Sequence, residues 1–216
     1  MTLALLHTSP AHIPVFDALR DTDHPGLVLR HFVDEGLLER ARAEGPDAVT
    51  EDVRAHLAAA AAEGAGSVLC TCSTIGAVAE AQSAAVGVPV LRVDRPMAAA
   101  AVAAGRNVAV VATVASTLAP TVALVEEEAA RAGRPVEVTT LFVEGAWDRF
   151  QAGDLDGSAD LVATAVDALD GVDAVVLAQA SMAPAAERTT THVPVLSSPR
   201  PGLRAAVRNT AYAESS

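Results

Sequence analysis

The sequence predicts an α/β fold in which parallel sheets are covered by helices. Short runs rich in Val and Leu alternate along the chain with longer Ala-rich segments of helical period, which is typical of this architecture. An internal repeat is the second observation that supports it. The third is composition, because 51% of the 216 residues are hydrophobic and only 3% are aromatic. The core is therefore expected to consist of Val, Leu, Ile and Ala between closely spaced layers.

Eight apolar runs are predicted to be strands, and helices are expected between them. The segment Pro46–Glu63 is one such helix, because it opens with Gly-Pro, repeats apolar residues at helical spacing and stops at Gly64. The strands are expected, in chain order, at Leu3–Leu6, Leu27–Phe32, Ser67–Thr71, Pro89–Val93, Asn107–Thr113, Glu137–Phe142, Ala174–Ala178 and Pro194–Ser197.

The internal repeat predicts a duplicated four-strand unit. GVPVLRVDRPMAAAAV from Gly87 matches HVPVLSSPRPGLRAAV from His192 at nine of sixteen positions, a spacing of 105 residues. The same spacing aligns LALLHT with VAVVAT, and SVLCTCSTIGAVAEA aligns with AVVLAQASMAPAAER at a spacing of 107. We therefore expect two pseudo-symmetric, Rossmann-like, parallel-sheet subdomains, residues 1–96 and 97–197. A C-terminal helix over 198–216 is expected to pack on the first.

Two such sheets would bring the carboxyl ends of equivalent strands to a shared cleft, where open parallel sheets bind ligands. The functional site is therefore expected between the halves. No GxGxxG turn follows a strand, so the sequence gives no support for a nicotinamide or flavin cofactor, and neither a cofactor nor a metal is expected.

Charge and composition exclude several classes of function. All 15 positively charged residues are Arg, so lysine Schiff bases and the Walker A phosphate loop are excluded. The net charge of -12 argues against a nucleic-acid partner, which requires clustered positive charge. No apolar run approaches the roughly 18 residues of a membrane span. Two cysteines are too few for a disulfide framework, so a reducing cytoplasm is expected.

Cys72 is the leading candidate for chemistry. It follows a predicted buried strand and precedes Ser73 and Thr74 at the start of an Ala-rich helix. Unpaired amides at a helix start would stabilise a thiolate, and together with the two hydroxyls they would also suit a substrate carboxylate. The alternative is that Cys72 is a small buried hydrophobe, which is the favoured interpretation of Cys70 within the strand.

These features resemble the aspartate/glutamate racemase superfamily, which includes hydantoin racemases, maleate cis-trans isomerases and arylmalonate decarboxylases. The resemblance rests on the two halves, on CST at Cys72, on TSP at Thr8 and on ATVAST at Ala112, and it covers nearly the whole chain. It implies a cofactor-independent enzyme, a dimer, in which one cysteine from each half moves a proton on opposite sides of a small carboxylate. It also implies carboxylate-binding roles for Thr8, Ser9, Thr113, Ser116 and Thr117 beside Ser73 and Thr74.

The second cysteine implied by the resemblance is missing. It should lie in VVLAQASMA, where Cys72 aligns with Gln179, close to Ser181. An amide is neither acidic nor basic near neutral pH, so the symmetrical two-thiol mechanism does not transfer. Gln179 either contacts substrate, as Ser181 would, or merely satisfies the end of a buried strand.

His7 is the candidate replacement for the missing base. It ends the first strand, and an ordinary histidine pKa near 6.5 suits proton transfer at neutral pH, although a purely structural role is equally open. A structural or solvated role is favoured for the other charged side chains near strand ends, Asp94, Arg95 and Glu144. A packing role is favoured for the aromatic pair Trp147 and Phe150.

Three hypotheses for function follow. The first is a racemase or epimerase in which Cys72 exchanges a proton on one face and His7 or water acts on the other. The second is a decarboxylase or cis-trans isomerase in which a single thiol protonates an enediolate on one face only. The third is a non-catalytic binding protein for a small ligand, descended from such an enzyme.

Overall fold

The structure is a computed structural model that describes residues 2–213, with side chains as far as Thr210. The chain divides into two compact units by its internal contacts. One runs to Val93 and resumes at Pro199, and the other is Asp94–Ser198. The first junction therefore lies three residues before the expected limit at residue 96, because Asp94 already caps a helix of the second unit.

The first unit contains an all-parallel sheet of four strands in the order β2-β1-β3-β4. Its strands are β1 (Thr2–His7), β2 (Val28–Val33), β3 (Ser67–Cys70) and β4 (Val90–Arg92). The helices between them are α1 (Ile13–Asp23), α2 (Glu35–Glu44), α3 (Thr50–Ala62), α4 (Ser73–Ala81) and α5 (Ser83–Val86).

The second unit contains a four-strand parallel sheet of the equivalent order, β6-β5-β7-β8. The strands are β5 (Asn107–Ala112), β6 (Glu137–Phe142), β7 (Ala174–Leu177) and β8 (Val195–Ser197). The helices are α6 (Arg95–Ala104), α7 (Leu118–Ala132), α8 (Ala146–Gln151) and α9 (Leu155–Asp167). The predicted α/β fold with two four-strand parallel sheets is therefore confirmed.

The C-terminal helix α10 (Pro199–Ala213) belongs to the first unit. Its Leu203 is fully buried in a cluster with Leu3 and Phe16. Gly202 approaches β4 so closely that a Cβ atom there would lie 2.3 Å from the carbonyl oxygen of Val93. The helix predicted for residues 198–216 is thus present as far as Ala213, and residues 214–216 lie outside the described part of the chain.

Strand registers in the two sheets agree with the sequence repeat. Leu6 is paired with Cys70 in the first sheet, and Val111 with Leu177 in the second. These pairs are related by the same spacings, 105 and 107 residues, that align the two halves of the sequence. Cys72 and Gln179 are therefore equivalent positions of the two units, while a common evolutionary origin stays a prediction.

Burial on both faces explains why the strands read as continuous apolar runs. In β1, Leu3 and Leu5 pack into the cluster that contains α1 and α10, and Ala4 and Leu6 face the cluster that contains α3. Each fully buried leucine contributes about 1.5–3 kcal/mol relative to an exposed one. A strand covered on both faces cannot alternate apolar with polar residues.

Several predicted boundaries are shifted. Three of the strands after which site residues were expected end one residue earlier, at Cys70, Ala112 and Leu177, whereas the first ends one residue later, at His7. The helix predicted over Pro46–Glu63 starts as a 3-10 turn at Pro46–Val49, because Gly45 with a φ of +94° turns the chain sharply there. No helix within residues 2–213 combines the length and apolar character needed to cross a membrane.

Candidate active site

Cys72 occupies the turn between β3 and α4. It is the N-cap residue of α4, has extended backbone angles and is 8% exposed, whereas Cys70 is fully buried. The Cys70 thiol donates a weak hydrogen bond to the carbonyl oxygen of Cys72 at 3.7 Å. The Cys72 sulfur makes no hydrogen bond with the described residues of its unit, so it remains available to a ligand.

The first turn of α4 adjoins this sulfur and offers one unused donor, the Thr74 hydroxyl. Ser73 and Thr74 occupy its first two positions, and no side chain caps the helix. Thr74 is 7% exposed, and its buried hydroxyl has no hydrogen-bond partner within residues 2–213. A buried hydroxyl left without a partner costs about 1–3 kcal/mol, and the amides at a helix start attract anions. The turn is therefore suited to binding a carboxylate.

Thr8 lies beside Cys72 at the same edge of the sheet. Leu6 is the register partner of Cys70, and each candidate lies two residues beyond its member of this pair. Thr8 is only 4% exposed. Ser9 instead caps the 3-10 turn Pro10–His12, with its hydroxyl accepting from the amide of Ala11 at 3.4 Å. The structure thus brings Thr8, Cys72, Ser73 and Thr74 to one edge.

His7 is fully buried, and both of its ring nitrogens are occupied. Its Nδ1 lies 2.8 Å from Thr71 Oγ1, and its Nε2 lies 2.8 Å from His31 Nδ1. Burial, followed by the neighbouring His31 and His12, lowers the pKa of His7 to about 3. The expectation that the pKa of His7 stays near 6.5 is therefore wrong, because the protein interior disfavours the charged imidazole.

The hydrogen bonds define which group donates and which accepts among Thr71, His7 and His31. The Thr71 hydroxyl donates to the carbonyl oxygen of Leu6 at 3.2 Å, so it accepts from His7 Nδ1–H. His7 Nε2 then accepts from His31 Nδ1–H. The far nitrogen of His31 lies 3.5 Å from Asp17 Oδ1 without the geometry of a hydrogen bond. In this arrangement neutral His7 links the ends of β1, β2 and β3.

The second unit has a different arrangement at the equivalent position. Gln179 Oε1 accepts from the Thr113 amide at 2.8 Å, and its Nε2 donates to Thr113 Oγ1 at 2.8 Å. This pair ties the end of β7 to the end of β5. Gln179 thereby satisfies a strand end, one of the two roles that the sequence left open.

The remaining hydroxyls of the second unit are partly committed to local turns. Thr117 Oγ1 donates to the carbonyl oxygen of Val114 at 2.7 Å, and Thr117 is the N-cap residue of α7 without a side-chain capping bond. Ser116 belongs to the 3-10 turn Ala115–Thr117, and Ser181 is half-buried in the 3-10 segment Ala180–Glu187. Ser116 and Thr117 share the loop after β5 with Thr113, and Ser181 lies two residues after Gln179.

The charged and aromatic candidates have structural positions. Arg95 forms ion pairs with Glu127 at 3.1 Å and with Glu128, which joins α6 to α7. The Trp147 and Phe150 rings stack 5.3 Å apart. Asp94 is buried as the residue that precedes α6, and Glu144 is exposed.

Sequence reasoning missed Thr71 and His31 as neighbours of His7. No sequence pattern identifies them, because their contacts depend on the register of three separate strands. Between residues 2 and 213, no three His, Cys, Asp or Glu side chains are grouped so that they could hold a metal ion.

Residues 11–206 match the family model described as Asp/Glu/hydantoin racemase. This range includes Cys72, Thr113 and Gln179, while His7 to Ser9 precede it. No curated protein sequence matches the chain significantly.

Solved structures share this fold over nearly the whole chain. A protein from Yersinia pestis described as an Asp/Glu racemase is 18% identical, with 99% of both chains covered and a TM-score of 0.70. A mutant arylmalonate decarboxylase in a sulfate-associated form is 24% identical over 98% of this chain and 94% of its own, with a TM-score of 0.68. Glutamate racemase from Aquifex pyrophilus is 14% identical over 96% and 83%, with a TM-score of 0.66. Such identities show a shared fold.

Proposed function

Because the chain belongs to the Asp/Glu/hydantoin racemase family, we propose that it is a cofactor-independent isomerase of the racemase or epimerase kind. Its substrate is a small carboxylic acid or amino-acid derivative. Cys72 transfers the proton at the α-carbon, and the α4 amides with the Thr74 hydroxyl hold the carboxylate.

The observation that carries this proposal is that the Cys72 sulfur and an unpaired hydroxyl, that of Thr74, lie in the same turn. Cys72 is the N-cap residue of α4, and the buried Thr74 hydroxyl lacks a partner within the described chain. Removing an α-proton leaves an enediolate whose charge lies on the carboxylate oxygens. Donors fixed at that position stabilise the additional charge on the enediolate oxygens more than they stabilise the substrate carboxylate, which lowers the barrier.

Water is the proposed proton donor on the opposite face. His7 is a poor candidate, because it is buried and neutral and both ring nitrogens are engaged. Gln179 carries no titratable proton and is bonded to Thr113. The Cys72 thiolate takes the α-proton, water protonates the other face, and the hydroxide left behind takes the proton from the thiol. One proton is removed and one added per turnover.

Hydrogen exchange at the α-carbon tests this function. Incubation in D₂O with amino acids, hydantoins and hydroxy acids should place deuterium on the α-carbon of a true substrate, as read by NMR. Cys72→Ser should lower this rate by about 10²- to 10⁴-fold, the usual contribution of a positioned acid or base. Cys70→Ser is the matched control, because it keeps a donor for the Cys72 carbonyl. A Cys72→Ser enzyme as active as wild type would contradict the proposal.

One-face chemistry is the second candidate, and the fixed Gln179 amide favours it. Loss of carbon dioxide from a substituted malonate leaves the same enediolate, which the Cys72 thiol would protonate once. Isomerisation of maleate to fumarate is the related possibility. Carbon dioxide release without α-carbon exchange of a monocarboxylate would favour this candidate over racemisation. Ligand binding without any reaction would instead favour a non-catalytic binding protein.

A further inference from the structure

A shallow groove of about 460 Å³ runs along α2 at the carboxyl edge of the first sheet. It is lined by Thr8, Glu35, Leu38, Glu39, Arg42 and Ala43. The groove lies at this edge because α2 begins directly after β2, where the amide of Asp34 donates to the carbonyl oxygen of His7 at 3.0 Å. Thr8 follows His7 in the chain and lines the end of the groove that lies nearest to β1.

The groove begins beside the proposed reaction centre. Thr8 and Cys72 follow the register partners Leu6 and Cys70 by two residues each, so they occupy neighbouring strand ends. A substrate whose carboxylate rests on α4 and whose α-carbon faces Cys72 would therefore have the groove within reach of its side chain.

Polar groups without partners line this groove. Thr8 is 4% exposed, yet its hydroxyl makes no hydrogen bond with any residue that the structure describes. Glu35 and Glu39 lie four residues apart on one face of α2, and both are exposed. Neither carboxylate forms an ion pair or hydrogen bond within residues 2–213. The Thr8 side chain is thus nearly buried at the groove wall, and its hydroxyl keeps its hydrogen-bonding capacity for a bound ligand.

The charge and shape of the groove select the class of ligand. Glu35 and Glu39 bring two negative charges against the single positive charge of Arg42. Between them Leu38, which packs against the core, supplies an apolar floor for methylene groups. An aliphatic chain ending in an ammonium or guanidinium group matches this combination, because its stem is apolar and its tip is cationic.

We infer that this groove binds the cationic side chain of the substrate, so that the substrate is an amino acid with a basic side chain. The inference rests on the proposed function for the position of the α-carbon. Glu35 and Glu39 are the specificity-determining residues, and they do not take part in proton transfer.

Arginine and citrulline provide the test, because they are nearly the same shape and differ in side-chain charge. Calorimetric titration of the full chain should give tighter binding of arginine. Replacing both carboxylates, Glu35→Gln with Glu39→Gln, should reduce this preference by about two- to 25-fold, as expected for two exposed ion pairs. Glu44→Gln is the matched control, since Glu44 is exposed on α2 but does not line the groove.

Each outcome decides one of the two proposals. Equal binding of arginine and citrulline by wild type overturns the inference, as does an arginine preference unchanged in the double variant. Equally weaker binding of both amino acids to the double variant also overturns the inference. In that case the two carboxylates would bind the α-ammonium group, which arginine and citrulline share. Arginine preference without α-carbon exchange supports the groove and contradicts the isomerase, while exchange without that preference does the reverse. Thermal midpoints near wild type verify that the variants fold.

Discussion

The side-chain amide of Gln179 forms two hydrogen bonds with Thr113, one to its backbone amide and one to its hydroxyl, both of 2.8 Å. The equivalent position in the first unit is Cys72, whose sulfur has no hydrogen bond with the residues of that unit that the structure describes. The same strand-end position therefore serves two purposes. In one unit it ties two strands together, and in the other it leaves a reactive group unengaged.

The Gln179–Thr113 pair should stabilise the second unit. Gln179→Ala leaves the amide of the buried residue Thr113 without its acceptor, and we expect the free energy of unfolding to fall by about 1–3 kcal/mol. Thr113→Val removes only the hydroxyl contact, with an expected loss of about 0.5–1.5 kcal/mol. Urea unfolding of the single and double variants gives the coupling energy. Fully additive losses would show that the two side chains do not interact.

Because of His7, the free energy of unfolding should decrease as the pH is lowered. The pKa of His7 is lowered from 6.5 to about 3 in the folded protein, so below pH 6.5 the unfolded chain binds a proton that the folded chain does not. The stability associated with neutral His7 is therefore complete above pH 6.5 and is lost as the pH falls towards 3. The loss is up to about 1.4 kcal/mol per pH unit. His12, whose pKa burial also lowers, acts in the same direction.

A variant isolates the contribution of His7. His7→Asn keeps a donor towards Thr71 but cannot be protonated, so its stability should fall less steeply than that of wild type between pH 6.5 and 4. The free energy of unfolding in urea at several pH values is the measurement. His192→Asn, at an exposed position, is the matched control and should follow wild type. Parallel curves for His7→Asn and wild type would contradict the assignment of this proton to His7.

Gly202 should not tolerate a side chain. Gly→Ala within a helix usually stabilises by about 0.5–1 kcal/mol. At Gly202 the added Cβ would lie 2.3 Å from the Val93 carbonyl oxygen, so α10 must shift away from β4. We expect Gly202→Ala to lower stability by about 1–3 kcal/mol, the usual cost of overpacking. Thermal unfolding shows whether the substitution lowers or raises stability. A raised midpoint would rule out the close approach of Gly202 to the Val93 carbonyl oxygen.

The two cysteines should react differently in the native protein. Cys70 is 0% exposed, whereas Cys72 is 8% exposed and its sulfur has no hydrogen bond with the described part of its unit. Iodoacetamide should therefore give one adduct, on Cys72, and two adducts once the chain is denatured. A bound carboxylate at the start of α4 should slow the native reaction. Peptide mass spectrometry identifies the modified residue, and equal labelling of Cys70 and Cys72 would refute the difference.

The fold could be predicted from the sequence because its signals are local. Glu137–Phe142 was predicted with its exact bounds, and the other strands to within one residue at each end. The helix at Ser73 could be predicted as well, since an Ala-rich segment followed a buried strand. The 3-10 start at Pro46–Val49 could not, because an α-helix and a 3-10 turn share the same residue preferences at a Gly-Pro entry.

The candidate site was only half predictable. The sequence could place Cys72, Thr74 and Thr8 after strand ends because residue type and strand position can be read along the chain, while their roles stay predictions. The pKa of His7 could not be found in this way, because it depends on burial and on His31, which lies 24 positions further along the chain. The partners of Gln179 were likewise a matter of β5–β7 register.

By itself the sequence determined the order of strands and helices, the two-half pattern and the residues placed at each strand end, because periodicity and residue chemistry act over short stretches. Only the tertiary structure decided that His7 is neutral, that Gln179 is bound to Thr113 and that Glu35, Glu39 and Thr8 share a groove. Those outcomes depend on desolvation and on contacts between residues far apart in the chain, and neither is encoded in any local pattern.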